Sequence, residues 1–312
     1  MPEVFEVIER RFSGWPALTY PERALLGGNF NRIYGLNSLW TREKVSNLFS
    51  QSDPQGWQIS FGTCLNFNRA HSVLFDILQP QFEFAVENIR LWKSETGRRM
   101  DPVAHLGQHL LDYYLLGRIP LEEKDSLLLR FYNKTEKDPK QWATLFDHLG
   151  RLLRNTPERS PDVADRCKAF FESRLRTGNP EELKEFTFWL EAKCLDPTWR
   201  LNALSRTLDI TKGRNRSAST LIEGLRKLLA DHPDLVVECF AKLIEGALSQ
   251  PHFYLRPEHV KPILKAGLAS QNEKTAEAAK FALDNLLKAG RSEFLNLDAI
   301  QDDPSWNKPM ST

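Results

Sequence analysis

The sequence lacks every spacing through which cysteine holds a metal or cycles a dithiol. Its four cysteines, Cys64, Cys167, Cys194 and Cys239, lie far apart, with no C-x-x-C pair among them. Buried free thiols are the reading that remains. No run of about 18 apolar residues occurs, so no bilayer-spanning helix and no membrane partner are expected. The opening residues MPEVFEVIERRF are charged where a secretory signal carries an apolar stretch, and a reducing cytoplasm is the expected setting. Charge of one sign is missing too: 42 Lys and Arg stand against 41 Asp and Glu, a net +1. A chain without a global field does not concentrate nucleic acid, which makes a protein partner the first expectation and nucleic acid the second.

Catalytic signatures are equally scarce. There is no G-x-x-x-x-G-K-[ST] phosphate loop; the nearest imitation, TKGRNRSAS at 211–219, has one glycine and no strand before it. There is no G-x-S-x-G elbow to strain a nucleophile, and Ser217 and Ser219 lie among arginines, where serine commonly caps a helix. His105 and His109 stand four apart with Asp112 a turn later, three candidate ligands on one helical face. Leu106 occupies the place where a zincin needs its glutamate. Glu191-Ala192-Lys193, with Pro161-Asp162 upstream, has the E-x-K form of a metal nuclease, but that chemistry needs a strand and these residues read as helix. No catalytic, cofactor or metal residue is therefore assigned, and a non-enzyme without cofactor is expected.

What the sequence has is helix starts. Asp53-Pro54, Asp101-Pro102, Asp138-Pro139, Ser160-Pro161, Asn179-Pro180 and Asp196-Pro197 each set a capping side chain before a proline. Proline suits the first helical position because its missing N–H would be unpaired there, and the residue before it accepts from the other orphan amides. Asn179 with Glu182 adds a capping-box pattern. Apolar periods predict helices over 3–12, 41–50, 55–65, 70–78, 80–93, 101–116, 122–133, 139–154, 161–176, 180–195, 197–209, 217–231, 233–249, 257–270 and 272–290, with strand-like alternation only weakly at Gln58 to Phe61. The fold class is all-α.

Helix pairs start near 101, 138, 180, 216 and 257, close to the unit length of HEAT-type repeats. The expected architecture is an α-solenoid-like array of antiparallel helix pairs. Residues 1–95, broken by Gly27-Gly28, Gly35, Gly56 and Gly62, read as an irregular helical cap, 96–297 as the array, and 298–312 as a disordered tail poor in apolar residues. In EFTFWLEAKCLDPTWRLNALSRTLD, residues 185–209, a helix over 180–195 places Phe186, Trp189, Leu190 and Lys193 on one side and Phe188, Ala192 and Leu195 toward the other. Two-sided aromatics suit a helix packed on both its hairpin partner and the next unit, so these rings read as core. The best surface candidate is Lys212, Arg214 and Arg216, a basic loop continuing into Arg226 and Lys227. It reads as a partner-binding segment for an acidic protein surface or a nucleic-acid backbone, or as a plain solvated linker made flexible by Gly213 and Asn215. The arginines near 151–166 are the second basic group.

The order of WQISFGTCLNFNRAHSVLFDILQPQF, EFTFWLEAKCLDPTWRLNALSRTL, LADHPDLVVECFAKLIEG and RPEHVKPILKAGLASQNEKTAEAAKFALDNLLKAGRSEFLNL resembles the C-terminal helical region of large bacterial STAND-type and related antiviral-defence NTPases, over about residues 40–297. The resemblance implies a non-catalytic sensor or scaffold arm that works beside an effector and an NTPase core. It implies a protein partner, either an NTPase or effector subunit or a phage protein. The P-loop of that family is not in this chain, so none of its catalytic residues carries over.

Overall fold

The computed structural model describes residues 2–12, 18–92, 101–155, 161–248 and 254–297. Among them every regular element is helical, as the capping prolines and apolar periods predict. The α-helices are α1 (Pro2–Phe12), α2 (Tyr20–Gly28), α3 (Phe30–Leu36), α4 (Ser38–Leu48), α5 (Pro54–Phe67), α6 (Phe75–Glu87), α7 (Pro102–Leu115), α8 (Leu127–Lys134), α9 (Pro139–Asn155), α10 (Pro161–Thr177), α11 (Pro180–Leu183), α12 (Pro197–Thr211), α13 (Ala218–Leu228), α14 (Pro233–Ala247), α15 (Pro257–Leu268) and α16 (Glu273–Lys288). Four 3-10 turns join them, at Ser72–Leu74, Ile89–Trp92, Phe186–Glu191 and Ser292–Phe294. Four of the predicted caps are made: Asp53 accepts from Gly56 N, Asp101 from Val103 N, Asn179 from Glu181 N and Asp196 from Trp199 N. Ser160, Arg98-Arg99 and the tail 298–312 lie outside the described residues.

The chain divides into two compact units, Met1–Leu145 and Phe146–Thr312, and the division falls within α9. The boundary expected at 95 lies outside the described residues. In the first unit α2 packs tightly on α5, because a Cβ on Gly27 would stand 2.0 Å from the Ser60 carbonyl oxygen; only glycine permits that approach. Its centre is Trp57, fully buried, stacked on Phe61 and met edge-on by Phe84 and Trp92, with the indole N–H donating to Gln81 Oε1 at 2.8 Å.

In the second unit α14 buries a wide apolar face of Val236, Val237, Cys239, Phe240, Leu243, Ile244 and Ala247, and it contacts α12, α13, α15 and α16. Its polar side chains, Asp234, Glu238, Lys242 and Glu245, keep to one narrow stripe, and the wide apolar remainder needs cover from several neighbours. Alternate elements also touch: α12 with α14, α14 with α16, the Phe186–Glu191 turn with α13, and α13 with α15. The last helix, α16, buries a single stripe of Thr275, Ala279, Ala282 and Leu286, as a helix covered on one side does.

Several expectations are corrected. The single helix over 180–195 is instead α11 followed by the 3-10 turn Phe186–Glu191. The reciprocal half of the Asn179–Glu182 capping box does not form. The Glu182 carboxylate is wholly buried and takes a bidentate pair from Arg174, 2.7 Å from Nε and 2.8 Å from a terminal nitrogen, a stronger interaction than any backbone amide offers. The helices over 70–78 and 80–93 are one helix, α6, running through Pro80, because Ile77, Leu78, Gln81, Phe82, Ala85 and Val86 bury a continuous face. Gln58 to Phe61 is helical, inside α5. The segment 122–133 starts later, at Leu127, where Ser126 caps Leu129 N. Helices α2 and α3 were not anticipated.

Candidate partner-binding surface around Phe188 and residues 211–216

Three turns of sequence meet at this surface: the end of α9, the 3-10 turn Phe186–Glu191, and the link from α12 to α13. A 3-10 turn advances three residues per turn, so residues i and i+3 share a side. Phe186 and Trp189 accordingly point inward together, stacked at 17° and fully buried. Trp189 also stacks on Phe146 and Phe170, and its indole N–H donates to the Phe146 carbonyl at 3.0 Å. These rings are core filling, as expected. Phe188 is the exception, half-buried and turned toward solvent. Arg151 and Arg154, three apart on one face of α9, lay their guanidinium carbons over its ring at 4.2 and 4.9 Å from the centroid.

The basic loop is fixed rather than flexible. Thr211, Gly213 and Asn215 are buried while Lys212, Arg214 and Arg216 are exposed, so anchors and cations alternate. Lys212 and Gly213 both adopt left-handed backbone, φ 53° and 70°. A Cβ on Gly213 would stand 2.1 Å from the Lys242 carbonyl oxygen, and one on Gly246 would stand 2.2 Å from the Gly213 carbonyl carbon. Asn215 takes the Thr187 hydroxyl at 2.9 Å and Ser217 N at 2.8 Å on its oxygen, and donates to the Lys184 carbonyl at 2.7 Å. Arg216 N donates to that same carbonyl at 3.1 Å. The expectation of a flexible linker therefore gives way to a loop tied to the turn preceding Phe188. Ser217 occupies the cap position of α13 without a side-chain cap, and the Ser219 hydroxyl donates to the Tyr254 carbonyl.

Three of the four arginines here are braced from behind. Arg216 donates to Glu185 at 2.7 Å, Arg151 to Asp147 at 2.6 Å, and Arg154 lies 3.8 Å from Glu191. In every pair the cation is the outer member: side-chain exposures are 74% against 10%, 56% against 25%, and 43% against 26%. Burial pushes the Glu185 carboxyl above its ordinary value; the Arg216 hydrogen bond pulls the other way without cancelling it. A surface of this kind presents N–H donors and positive charge outward over an aromatic platform.

The other sequence candidates go elsewhere. His109 points into the first unit's core, where Nε2 lies 2.9 Å from the Leu65 carbonyl and the ring faces Phe82 and Tyr113, whereas His105 is half-exposed. Among the described residues no three His, Cys, Asp or Glu side chains are grouped to hold a metal ion. Glu191 closes the 3-10 turn and Asp162 opens α10, both away from any strand. Cys64, Cys167 and Cys239 are buried and Cys194 half-buried, all as free thiols; burial raises Cys64 to about 12. Among the described residues no helix is long and apolar enough to cross a membrane. Arg159 lies outside the described residues, and Arg166 is half-buried on α10. Phe188 as a surface ring was missed from sequence; the R-x-x-R spacing at 151–154 was the available signal. Comparison with family profiles, curated proteins and solved structures finds no match to this chain.

Proposed function

We propose that the chain is a non-enzymatic helical scaffold or sensor arm that binds another protein. The supporting observation is the order of contacts in the second unit. There the 3-10 turn and α12, then α13 and α14, then α15 and α16 form successive hairpins, with each element also touching the one two places on. Contacts in that order support an α-solenoid-like reading, and an array of that kind offers an extended surface for recognition. Loops that must hold a partner are fixed in such an array by its own packing, as residues 211–217 are.

The resemblance to the helical arms of STAND-type defence NTPases gives this reading a setting, in which the partner is an NTPase or effector subunit or a phage protein. The test is affinity capture of the tagged chain from host cells, with and without phage infection, against a control in which Lys212, Arg214 and Arg216 are all Ala. A protein enriched by the native chain and depleted by the variant supports a binding arm. Capture of no protein in either state would sink it.

A further inference from the structure

We propose that the surface formed by Phe188, Arg151, Arg154, Arg216, Lys212 and Arg214 docks a carboxylate-rich protein segment. The inference rests on the binding-arm reading and names the partner's chemistry. Three observations carry it. First, all three paired arginines stand outside their own carboxylates, so the layer of charge that solvent meets is positive although the pairs are neutral as a set. Second, Lys212 and Arg214 are exposed on the same loop and form no ion pair with any described residue, which adds two uncompensated cations beside Arg216. Third, two guanidinium groups lie over the face of Phe188. Stacking of that kind satisfies the cation through the ring and leaves in-plane N–H edges free to meet a carboxylate two-pronged.

A protein segment fits these observations better than nucleic acid. Polyanion binders gain affinity by releasing counterions along a run of phosphates, which calls for many unbraced cations and a basic chain. Here three of the five cations already share a carboxylate, and the chain as a whole carries a net charge of +1. The braces also set the geometry. Glu185 is held almost out of solvent beneath Arg216, and Asn215 fixes the backbone between them, so the guanidinium groups are pre-positioned before a partner arrives. Pre-positioning lowers the ordering cost that a flexible basic loop would incur on binding.

The probe is a fluorescein-labelled poly-glutamate peptide, followed by fluorescence anisotropy with the full chain over a salt series. Single-stranded poly-dT serves as the competing class. The expected result is binding of poly-glutamate that weakens with salt, is stronger than that of poly-dT, and falls by roughly tenfold or more in the Lys212→Glu/Arg214→Glu variant. That variant leaves every braced pair intact and so keeps the fold. Phe188→Ala with Arg154→Gln is a second variant, expected to weaken binding with circular dichroism unchanged. Equal affinity in both variants, preference for poly-dT, or no binding at all would each overturn the inference. If the captured partner of the preceding section persists through these substitutions, the binding arm stands and only its assignment to this surface falls.

Discussion

Trp57 and Trp189 are the centres of the two units and share a description: fully buried, ringed by aromatics, indole N–H satisfied. Their backbones differ. Trp57 sits in a regular helix, α5, and donates its hydrogen bond to a side chain, Gln81; Trp189 sits on a 3-10 turn and donates to a main-chain carbonyl. The tighter winding aligns Phe186 with Trp189 and throws Phe188 outward, under Arg151 and Arg154. Each cluster leaves one ring half-buried, Phe84 in the first unit and Phe188 in the second, and over Phe188 lie two guanidinium groups. The comparison teaches that how a core segment is wound decides which of its rings meets the cations of a neighbouring helix.

The largest effect expected separates the units by their charged pairs. Glu182→Ala leaves Arg174 buried without its carboxylate and is expected to cost about 3–5 kcal/mol in chemical denaturation. Glu87 of the first unit also meets two cations, Arg130 and Lys134, but its side chain is 48% exposed. Glu87→Ala is expected to cost no more than about 1 kcal/mol. Similar losses from the two variants would mean that the buried pair is not the staple it looks to be.

Next come the tryptophans themselves. Trp57→Phe strands the buried Gln81 oxygen and is expected to cost about 1–3 kcal/mol. The Phe146 carbonyl that Trp189 meets lies inside α9 and keeps its helical partner. Trp189→Phe should therefore be milder, nearer 1 kcal/mol in the same urea series. Reversal of that order would show that the 3-10 turn depends on its indole more than α5 does. Smaller again is Arg154→Ala, which removes one of two cations over Phe188 while Arg151 stays. A loss of about 0.5–1 kcal/mol by thermal denaturation is expected.

The last contrast is in pH. Glu87 is held below its ordinary 4.5, first by the Lys134 and then by the Arg130 hydrogen bond. Its contribution is present above that ordinary value and disappears as pH falls through the depressed one. Glu185 is shifted upward by burial, with Arg216 and Arg151 opposing and Asp147 adding to the rise. The folded state then holds the proton more tightly than the unfolded chain, so stability declines as pH climbs from the ordinary value to the raised one. In Tm measured across the acid range, Glu185→Gln should flatten that decline and Glu87→Gln the opposite slope. Slopes of the same sign would refute the assignment.

Much of this was legible in the residues. Asp or Asn before Pro located the starts of α5, α7, α11 and α12, because a cap and a fixed φ are local properties. Pro80 misled for the converse reason: a local penalty was outweighed by a buried face that only the tertiary structure supplies. Thr19 and Glu22 carried a readable start signal for α2, since the carboxylate takes both the amide and the hydroxyl of Thr19. The Lys212, Arg214, Arg216 triplet was visible as charge. Its rigidity was not, because it depends on Asn215 reaching residues 184 and 187. The Arg174–Glu182 pair hid for the same reason, with the sequence offering Glu182 a cap role that burial overruled.

The contact between Gly213 and Gly246 has a consequence for anyone who would tune the basic loop. Each backbone fills the volume where the other's Cβ would go, so a change at one position has no matching change at the other that could relieve it. A double alanine would add its two penalties, where an ordinary pair of facing residues trades large for small. The loop's aim is thus set by a joint with no adjustable part, and redesign of its direction has to start in the helices on either side.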